Sequence, residues 1–145
     1  MTKQPRLAET AERLHSVAVR LLRQARVADR SASVGPAQLS ALSFLYFSGQ
    51  VQLTALADAE QVAQPTMTRI VASLEKAGAA RRIASPTDRR EKLVEITDAG
   101  RETFETARAK RLEVIEAILR KLDADTAAAL HPLILKLANV VNQRD

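Results

Sequence analysis

Helical periodicity runs through almost the whole chain and is interrupted at one place. Between residues 7 and 28, apolar residues recur at alternating intervals of four and three, which is the spacing of one face of an α-helix. Two short runs, residues 81–85 and 92–96, instead suit β-strands and flank a polar turn. The chain is therefore predicted to be mainly α with a small β-hairpin.

Glycine and proline mark the breaks between the first four predicted helices. Gly35 and Pro36 form the turn after the first helix, and Gly49 ends the second. Thr54 is predicted to cap the N-terminus of a short third helix. The fourth helix is predicted to begin with the turn that contains Pro65, because proline is tolerated there, and to end at Gly78.

Two further helices are predicted after the hairpin. Thr97 is expected to cap the first of them, and Asp123 begins the second. Pro132 lies inside the apolar pattern of the last helix. Because proline lacks the backbone donor and crowds the preceding turn, we expect a bend at that position.

Composition excludes several classes of function. The 145 residues suit one domain and contain no cysteine and only two histidines. Thiolate metal sites, disulfides, cysteine catalysis and multi-histidine metal sites are therefore excluded, and no metal or other cofactor is expected. No Ser-His-Asp arrangement and no phosphate-cradling glycine loop points to an enzyme. The sequence has neither a membrane-length apolar run nor a signal-type segment, so a soluble cytoplasmic protein is expected.

The order of elements between residues 53 and 96 is typical of a winged helix-turn-helix. The second of its two helices begins with polar, short or basic side chains that can hydrogen-bond base edges or phosphates. The hairpin that follows is strongly basic, with five cations against Asp88 and Glu91. These cations are Arg81, Arg82, Arg89, Arg90 and Lys92. A polar helix face or a basic loop alone is usually only solvated, but the two in this order predict binding to double-stranded DNA, and one helix per half-site then requires a dimer.

The same stretch resembles the MarR family of winged helix-turn-helix transcriptional regulators. The resemblance rests on the spacing between the second helix, the Asp-Arg-Arg of the wing and the Thr-x-x-Gly that opens the next helix. Its residues are Leu56-Ala57, Val62-Ala63-Gln64-Pro65-Thr66-Met67-Thr68-Arg69-Ile70-Val71, Leu74-Glu75, Gly78, Arg82, Asp88-Arg89-Arg90 and Ile96-Thr97-Asp98-Ala99-Gly100.

The family resemblance covers essentially the whole chain and implies its organisation. Residues 1–145 would form a single MarR-like domain, with residues 37–100 as the winged helix-turn-helix part. Residues 1–30 and 101–145 would supply the dimerisation helices. The implied function is that of a repressor that binds a palindromic operator as a homodimer and is released by a small-molecule effector.

The resemblance also assigns the residues that contact DNA. Those in the recognition helix and its first turn are Gln64, Pro65, Thr66, Thr68 and Arg69. Those in the wing are Arg82, Asp88, Arg89 and Arg90, where Asp88 is expected to orient the arginines. Gln38 matches a family helix start and is a candidate for a contact to the DNA backbone.

Two residues depart from the family pattern. Ala63 stands where many members have serine or threonine, which removes a capping hydroxyl at a cost of roughly 0.5–2 kcal/mol. Gln61 stands where the turn commonly has glycine, so a left-handed backbone there would be strained. Both changes bear on the approach to the operator and not on the fold.

Two residues are candidates for binding a small anionic or aromatic effector. His15 is either a structural residue of the first helix or part of an effector pocket. Tyr46, close to Phe44 and Phe47, either belongs to the core or lines the cavity that the resemblance places between the dimer helices and the reading domain.

The apolar stripes of the last two helices exceed what one small reading domain can cover, which predicts a homodimer. They consist of Leu112, Ile115, Leu119, Leu122, Leu130, Leu133, Ile134 and Leu137. The alternative function is a winged-helix module for protein–protein assembly that binds no operator, and the basic wing argues against it.

Overall fold

A computed structural model describes residues 7–143. Six helices and a small sheet follow one another in this part of the chain, with a short 3-10 turn at Ala28–Ser31 after the first helix. The elements are α1 (Leu7–Val27), α2 (Pro36–Ser48), β1 (Val51–Gln52), α3 (Leu53–Ala59), α4 (Gln64–Lys76), β2 (Ala80–Ala84), β3 (Lys92–Ile96), α5 (Asp98–Leu119) and α6 (Ala124–Asn142). The predicted mainly helical architecture is confirmed.

Most of the predicted helix ends are confirmed. Gly49 closes α2 with a positive φ of 75°, and Gly78 follows α4 with a φ of 72°. The Asp123 carboxylate caps α6 by accepting from Thr126 N at 2.9 Å. Pro132 does lie inside α6, and the bend at Pro132 stays a prediction.

The predicted N-cap of α3 is wrong. The helix begins at Leu53, one residue before Thr54, and its N-cap is Gln52, whose backbone is extended. Gln52 belongs to β1, so the strand runs directly into the helix and leaves no place for a separate capping residue. The Thr54 side chain is consequently exposed in the first turn of α3.

The wing is a three-stranded antiparallel sheet, where the sequence had predicted only a hairpin. The strand order is β1-β3-β2, with Gln52 opposite Leu93 and Arg82 opposite Val94. β1 is only two residues long and has no alternating pattern of its own, which is why its pairing escaped prediction. This pairing brings the start of α3 beside the start of β3.

One hydrophobic core holds α2, α3, α4 and the sheet together against α5. Its members are Ala41, Leu42, Leu45, Leu56, Ala57, Met67, Val71, Leu74, Ala79, Ala80, Val94, Ile96 and Phe104. Because the buried face of α4 and the inner face of the wing share this core, the two elements are fixed relative to each other.

The start of α5 explains the Thr-x-x-Gly motif. Thr97 Oγ1 accepts from Gly100 N at 3.1 Å and donates to the Gly78 carbonyl at 2.5 Å, so the predicted cap is confirmed. A Cβ on Gly100 would lie 1.9 Å from the Ala79 carbonyl oxygen. Glycine is therefore required there, because α5 passes directly against the backbone that follows α4.

The terminal helices leave much of their apolar surface uncovered. No residue of α6 is buried, and Ala25 is the one buried residue of α1. Leu133 is 60% exposed and Ile134 50%, values typical of a surface that a partner covers. Within residues 7–143, no helix has the length and hydropathy needed to cross a membrane.

Candidate nucleic-acid interface

Helix α4 presents a polar face to solvent and an apolar face to the core. Met67, Val71 and Leu74 are buried at helical spacing. All five residues assigned to DNA from this segment are exposed, namely Gln64, Pro65, Thr66, Thr68 and Arg69. The fold therefore brings them together on the surface of one helix.

The turn before α4 carries the strain that the sequence predicted. Gln61 has a φ of 54°, the left-handed region that favours glycine. Ala63 is extended at the N-cap and offers no capping side chain, as predicted. Its carbonyl accepts from Thr66 N at 2.9 Å and from Met67 N at 3.1 Å, so backbone bonds alone close the first turn.

The polar side chains of α4 differ in how free they are to bind. Thr68 Oγ1 donates to the Gln64 carbonyl at 2.9 Å, which occupies its only proton. Within the described part of the chain, the side chains of Gln64, Thr66 and Arg69 have no hydrogen-bond or ion-pair partner. These three are available to base edges and phosphates.

The wing loop is held by its own short side chains. Ser85 Oγ accepts from Asp88 N at 3.3 Å, and Asp88 Oδ1 accepts from Arg90 N at 2.9 Å. Asp88 thus shapes the loop backbone and makes no ion pair with either neighbouring arginine. The guanidinium groups of Arg89 and Arg90 are exposed and unpaired among residues 7–143, so both project from an ordered turn.

Arg82 ties the wing to the recognition helix. Its Nη1 lies 3.0 Å from Glu75 Oε2, and its Nη2 donates to the Thr68 carbonyl at 3.4 Å. Glu75 Oε1 also accepts from Arg82 N at 3.1 Å. The Arg82 guanidinium therefore has partners within the protein and links β2 to α4. Its predicted contact with DNA stays a prediction.

Gln38 is likewise engaged inside the protein. Its Nε2 donates to Ser73 Oγ at 3.3 Å, across the interface between α2 and α4. The residue is half-buried. This bond links Gln38 to α4 and uses one of the two protons of its side-chain amide, so its contact with the DNA backbone stays a prediction.

A cleft of about 330 Å³ lies between the start of α3, the start of α4 and the base of the wing. Its lining includes Thr54, Gln64, Arg90 and Lys92. From the sequence, Thr54 was expected to cap a helix, and Lys92 was only one of the charges of the hairpin. The pairing of β1 with β3 places the two residues in the same cleft, and the sequence carries no pattern that predicts this pairing.

The two effector candidates have different surroundings. Tyr46 donates its hydroxyl proton to Glu105 Oε1 at 2.8 Å, and the pKa of Tyr46 is raised by this hydrogen bond and by the charge of the carboxylate. Its ring packs against Phe47 and Phe104, with Arg101 5.6 Å from the ring centroid. His15 is exposed on α1, whereas Tyr46 is half-buried on α2.

Two cavities lie where α1 and the 3-10 turn meet α2 and α5. One, of about 370 Å³, lies between the 3-10 turn and α5 and is lined in part by Ser31, Thr103 and Lys110. The other, of about 350 Å³, lies between α1, α2 and α5 and is lined in part by Arg26 and Arg111. Neither His15 nor Tyr46 contributes to the walls of these two cavities.

Arg111 is already neutralised by a buried carboxylate. Its Nε and Nη2 donate to the two oxygens of Asp29 at 2.6 and 2.7 Å, a bidentate pair that ties the 3-10 turn to α5. The hydrogen bond to Asp29 raises the pKa of Arg111. In the part of the chain that the structure describes, no group of three or more metal-ligating side chains is assembled.

Comparison with known proteins agrees with this geometry. The family model described as the MarR family matches residues 35–92. The chain is 36% identical over 135 residues to the uncharacterised HTH-type transcriptional regulator Mb0904 of Mycobacterium bovis, which covers 91% of this chain and 94% of that protein. It is 37% identical over 133 residues to the uncharacterised HTH-type transcriptional regulator ML2140 of Mycobacterium leprae, covering 90% of this chain and 93% of that one.

Solved structures share the whole architecture. The transcriptional regulator Tm0710 of Thermotoga maritima is 26% identical and superposes with a TM-score of 0.81, covering 94% of this chain and 96% of its own. The likeness thus extends beyond the reading part to the terminal helices.

Proposed function

The chain belongs to the MarR family of winged helix-turn-helix transcriptional regulators, and from that premise we propose that it represses transcription by binding a palindromic operator as a homodimer. The family consists of DNA-binding regulators and not of enzymes. A small anionic or aromatic effector is proposed to release the operator. Because operator binding requires access to the chromosome, the proposed location is the cytoplasm.

One observation carries the proposal of sequence-specific binding. The free polar and cationic side chains of α4 lie on its exposed face, while Arg82 fixes that helix to a wing whose tip holds two unpaired arginines. A helix of this chemistry suits the major groove, and an arginine-tipped wing suits the phosphate backbone or a narrow minor groove. Because α4 and the wing are held at a fixed spacing, their polar surface is better explained by DNA recognition than by simple exposure to solvent.

The proposed organisation assigns residues 37–100 to DNA reading and residues 1–30 and 101–145 to dimerisation, within one domain of residues 1–145. The uncovered apolar surface of α1 and α6 supports this division. Of the proposed dimerisation segments, residues 1–6 and 144–145 lie outside the described residues. A dimer places two copies of α4 on one face, so each copy reads one half-site.

The wing arginines are expected to act chiefly through charge. Arg89→Ala and Arg90→Ala should each weaken binding to operator and random duplex alike, because loop-tip guanidinium groups contact phosphates and groove walls. Two chains carry a formal net charge of +10, twice the +5 of one. Each variant removes two phosphate contacts per dimer, so the slope of log K against log salt should flatten by about 2. A salt titration of duplex affinity measures this.

Arg89→Lys is the matched control for the salt titration. It should restore most of the salt slope and less of the affinity, since lysine keeps the charge but is more strongly hydrated and lacks the planar fork. Salt slopes that stay at the wild-type value in both alanine variants would contradict a role of the wing in DNA binding. They would favour the alternative of a protein–protein interaction module.

An effector is expected to act through the cavities beside α5. Arg26 lines the 350 Å³ cavity, and the charge of its neighbour Arg111 is balanced by Asp29, so an anionic ligand would meet Arg26 as the available cation. Such a ligand must bind more tightly to a dimer whose recognition helices are wrongly spaced for the operator. A ligand with equal affinity for this dimer and for the DNA-binding dimer would not change the equilibrium between them. Phenolic acids are expected to weaken operator affinity in the wild type and less in Arg26→Gln. Equal effects on both proteins would contradict this site.

A further inference from the structure

A cleft between the wing base and the helix-turn-helix lies on the DNA-facing side and has no role of its own in the proposed function. Its walls come from three elements: Thr54 from α3, Gln64 from α4, and Arg90 to Lys92 from the wing. The register that pairs Gln52 with Leu93 brings the first turn of α3 against Lys92. The cleft is thus built by the fold and not by one loop.

Four of the side chains that line the cleft are polar and free to bind. Thr54, Gln64, Arg90 and Lys92 are all exposed, and none has a hydrogen-bond or ion-pair partner within residues 7–143. Thr54 is free because the helix begins one residue earlier than a capping role would need. The hydroxyl therefore lacks the intramolecular partner that an N-cap threonine would have.

The charge of the cleft favours an anion. Two cations, Arg90 and Lys92, line the cleft together with one carboxylate, Glu91, which is half-buried. The volume of about 330 Å³ admits a phosphate group with its flanking sugar oxygens. Cationic and hydroxyl donors that line one cleft are typical partners of a phosphodiester.

We propose that this cleft binds one phosphate of the operator backbone in each half-site, with Lys92 and Arg90 as charged donors and Thr54 as a hydroxyl donor. The inference rests on the proposed function and adds Thr54 and Lys92, which it does not use. A phosphate bound between the helix-turn-helix and the wing fixes the register of α4 in the major groove, because both elements then contact the same DNA strand. Thr54 and Lys92 position the protein and read no base.

Phosphate neutralisation tests the proposal directly. A short duplex carrying the palindrome selected by the wild-type protein is made with a methylphosphonate at one symmetric pair of positions at a time. At one pair, wild-type affinity should fall by about tenfold per half-site, the loss of one charge-assisted contact. Lys92→Gln should cost about as much on the unmodified duplex and nothing more at that pair. If Lys92→Gln weakens binding by the same factor on every duplex, wherever the methylphosphonate is placed, no single phosphate depends on Lys92 and the proposal is overturned.

Matched variants separate the cleft from general charge. Thr54→Val keeps the shape but removes the donor, so it should weaken binding several-fold without changing the salt slope, whereas Lys92→Gln should flatten the slope by about 2 per dimer. Glu91→Gln removes a carboxylate from the same wall and should tighten binding. Unchanged affinity in Thr54→Val would overturn the assignment of its hydroxyl.

The source of the phosphate is tested with inorganic phosphate. Added at constant ionic strength, it should leave wild-type operator affinity unchanged, because a lone phosphate gains none of the contacts of the duplex. Release of the operator that disappears in Lys92→Gln would instead assign the cleft to a free anion and overturn the backbone proposal. If the wild-type protein selects no palindrome at all, the proposed function fails, an outcome distinct from a bound duplex that ignores the cleft variants.

Discussion

Ile134→Asp is expected to separate the homodimer and to abolish tight operator binding. Ile134 is 50% exposed in one chain and belongs to the uncovered face of α6, which buries none of its own residues against the rest of the chain. A partner that covers this face would bury an unpaired carboxylate from each subunit, at a cost of about 3 kcal/mol or more. Sedimentation should report monomers, and operator affinity should fall by at least about a hundredfold.

Asn139→Asp is the matched control on the same helix. Asn139 is exposed on the side of α6 away from Ile134, so it receives the same new charge without burying it. This variant should remain dimeric with nearly unchanged affinity. A dimeric Ile134→Asp protein, or a wild-type protein that sediments as a monomer at micromolar concentration, would contradict the role assigned to α6.

Arg69→Ala is expected to remove specificity more than affinity. Arg69 lies on the exposed face of α4, one turn after Thr66, and its guanidinium has no partner in the described chain. A bidentate contact to guanine supplies about 1–3 kcal/mol of discrimination, so operator affinity should fall by roughly 10- to 100-fold. Binding to random duplex should change far less. Parallel titrations with operator and random duplex measure the ratio.

Lys76→Ala provides the control for the loss of one charge. Lys76 lies on the same helix in its last turn and is also exposed. Its removal should weaken both duplexes by the same small factor. An Arg69→Ala variant that behaves in the same way would show that Arg69 contacts a phosphate or no DNA at all.

The helices could be predicted from the sequence because their signals are local. Pro65 at the start of α4, Gly78 after it and the Thr97 cap each act within one turn, and the structure confirms all three. The recognition face could also be predicted, since helical periodicity alone assigns Arg69 to the side opposite Met67.

The predictions that failed or changed depend on contacts between distant residues. β1 is too short to carry a pattern, so its pairing with β3 was missed and Thr54 was given a capping role. Arg82 and Gln38 look like free donors in the sequence, yet the fold pairs Arg82 with Glu75 and bonds one amide proton of Gln38 to Ser73. Their contacts with DNA stay predictions. Nothing local distinguishes these donors from the free guanidinium of Arg69.

Selection of duplexes from a random pool tests whether a symmetric dimer reads DNA sequence through α4 and the wing. The dimer should enrich an inverted repeat whose half-sites are centred about one helical turn apart, roughly 10 base pairs. Arg69→Ala should relax the preference at one base of each half-site. A pool that stays random, or that enriches a single half-site without symmetry, would contradict the account.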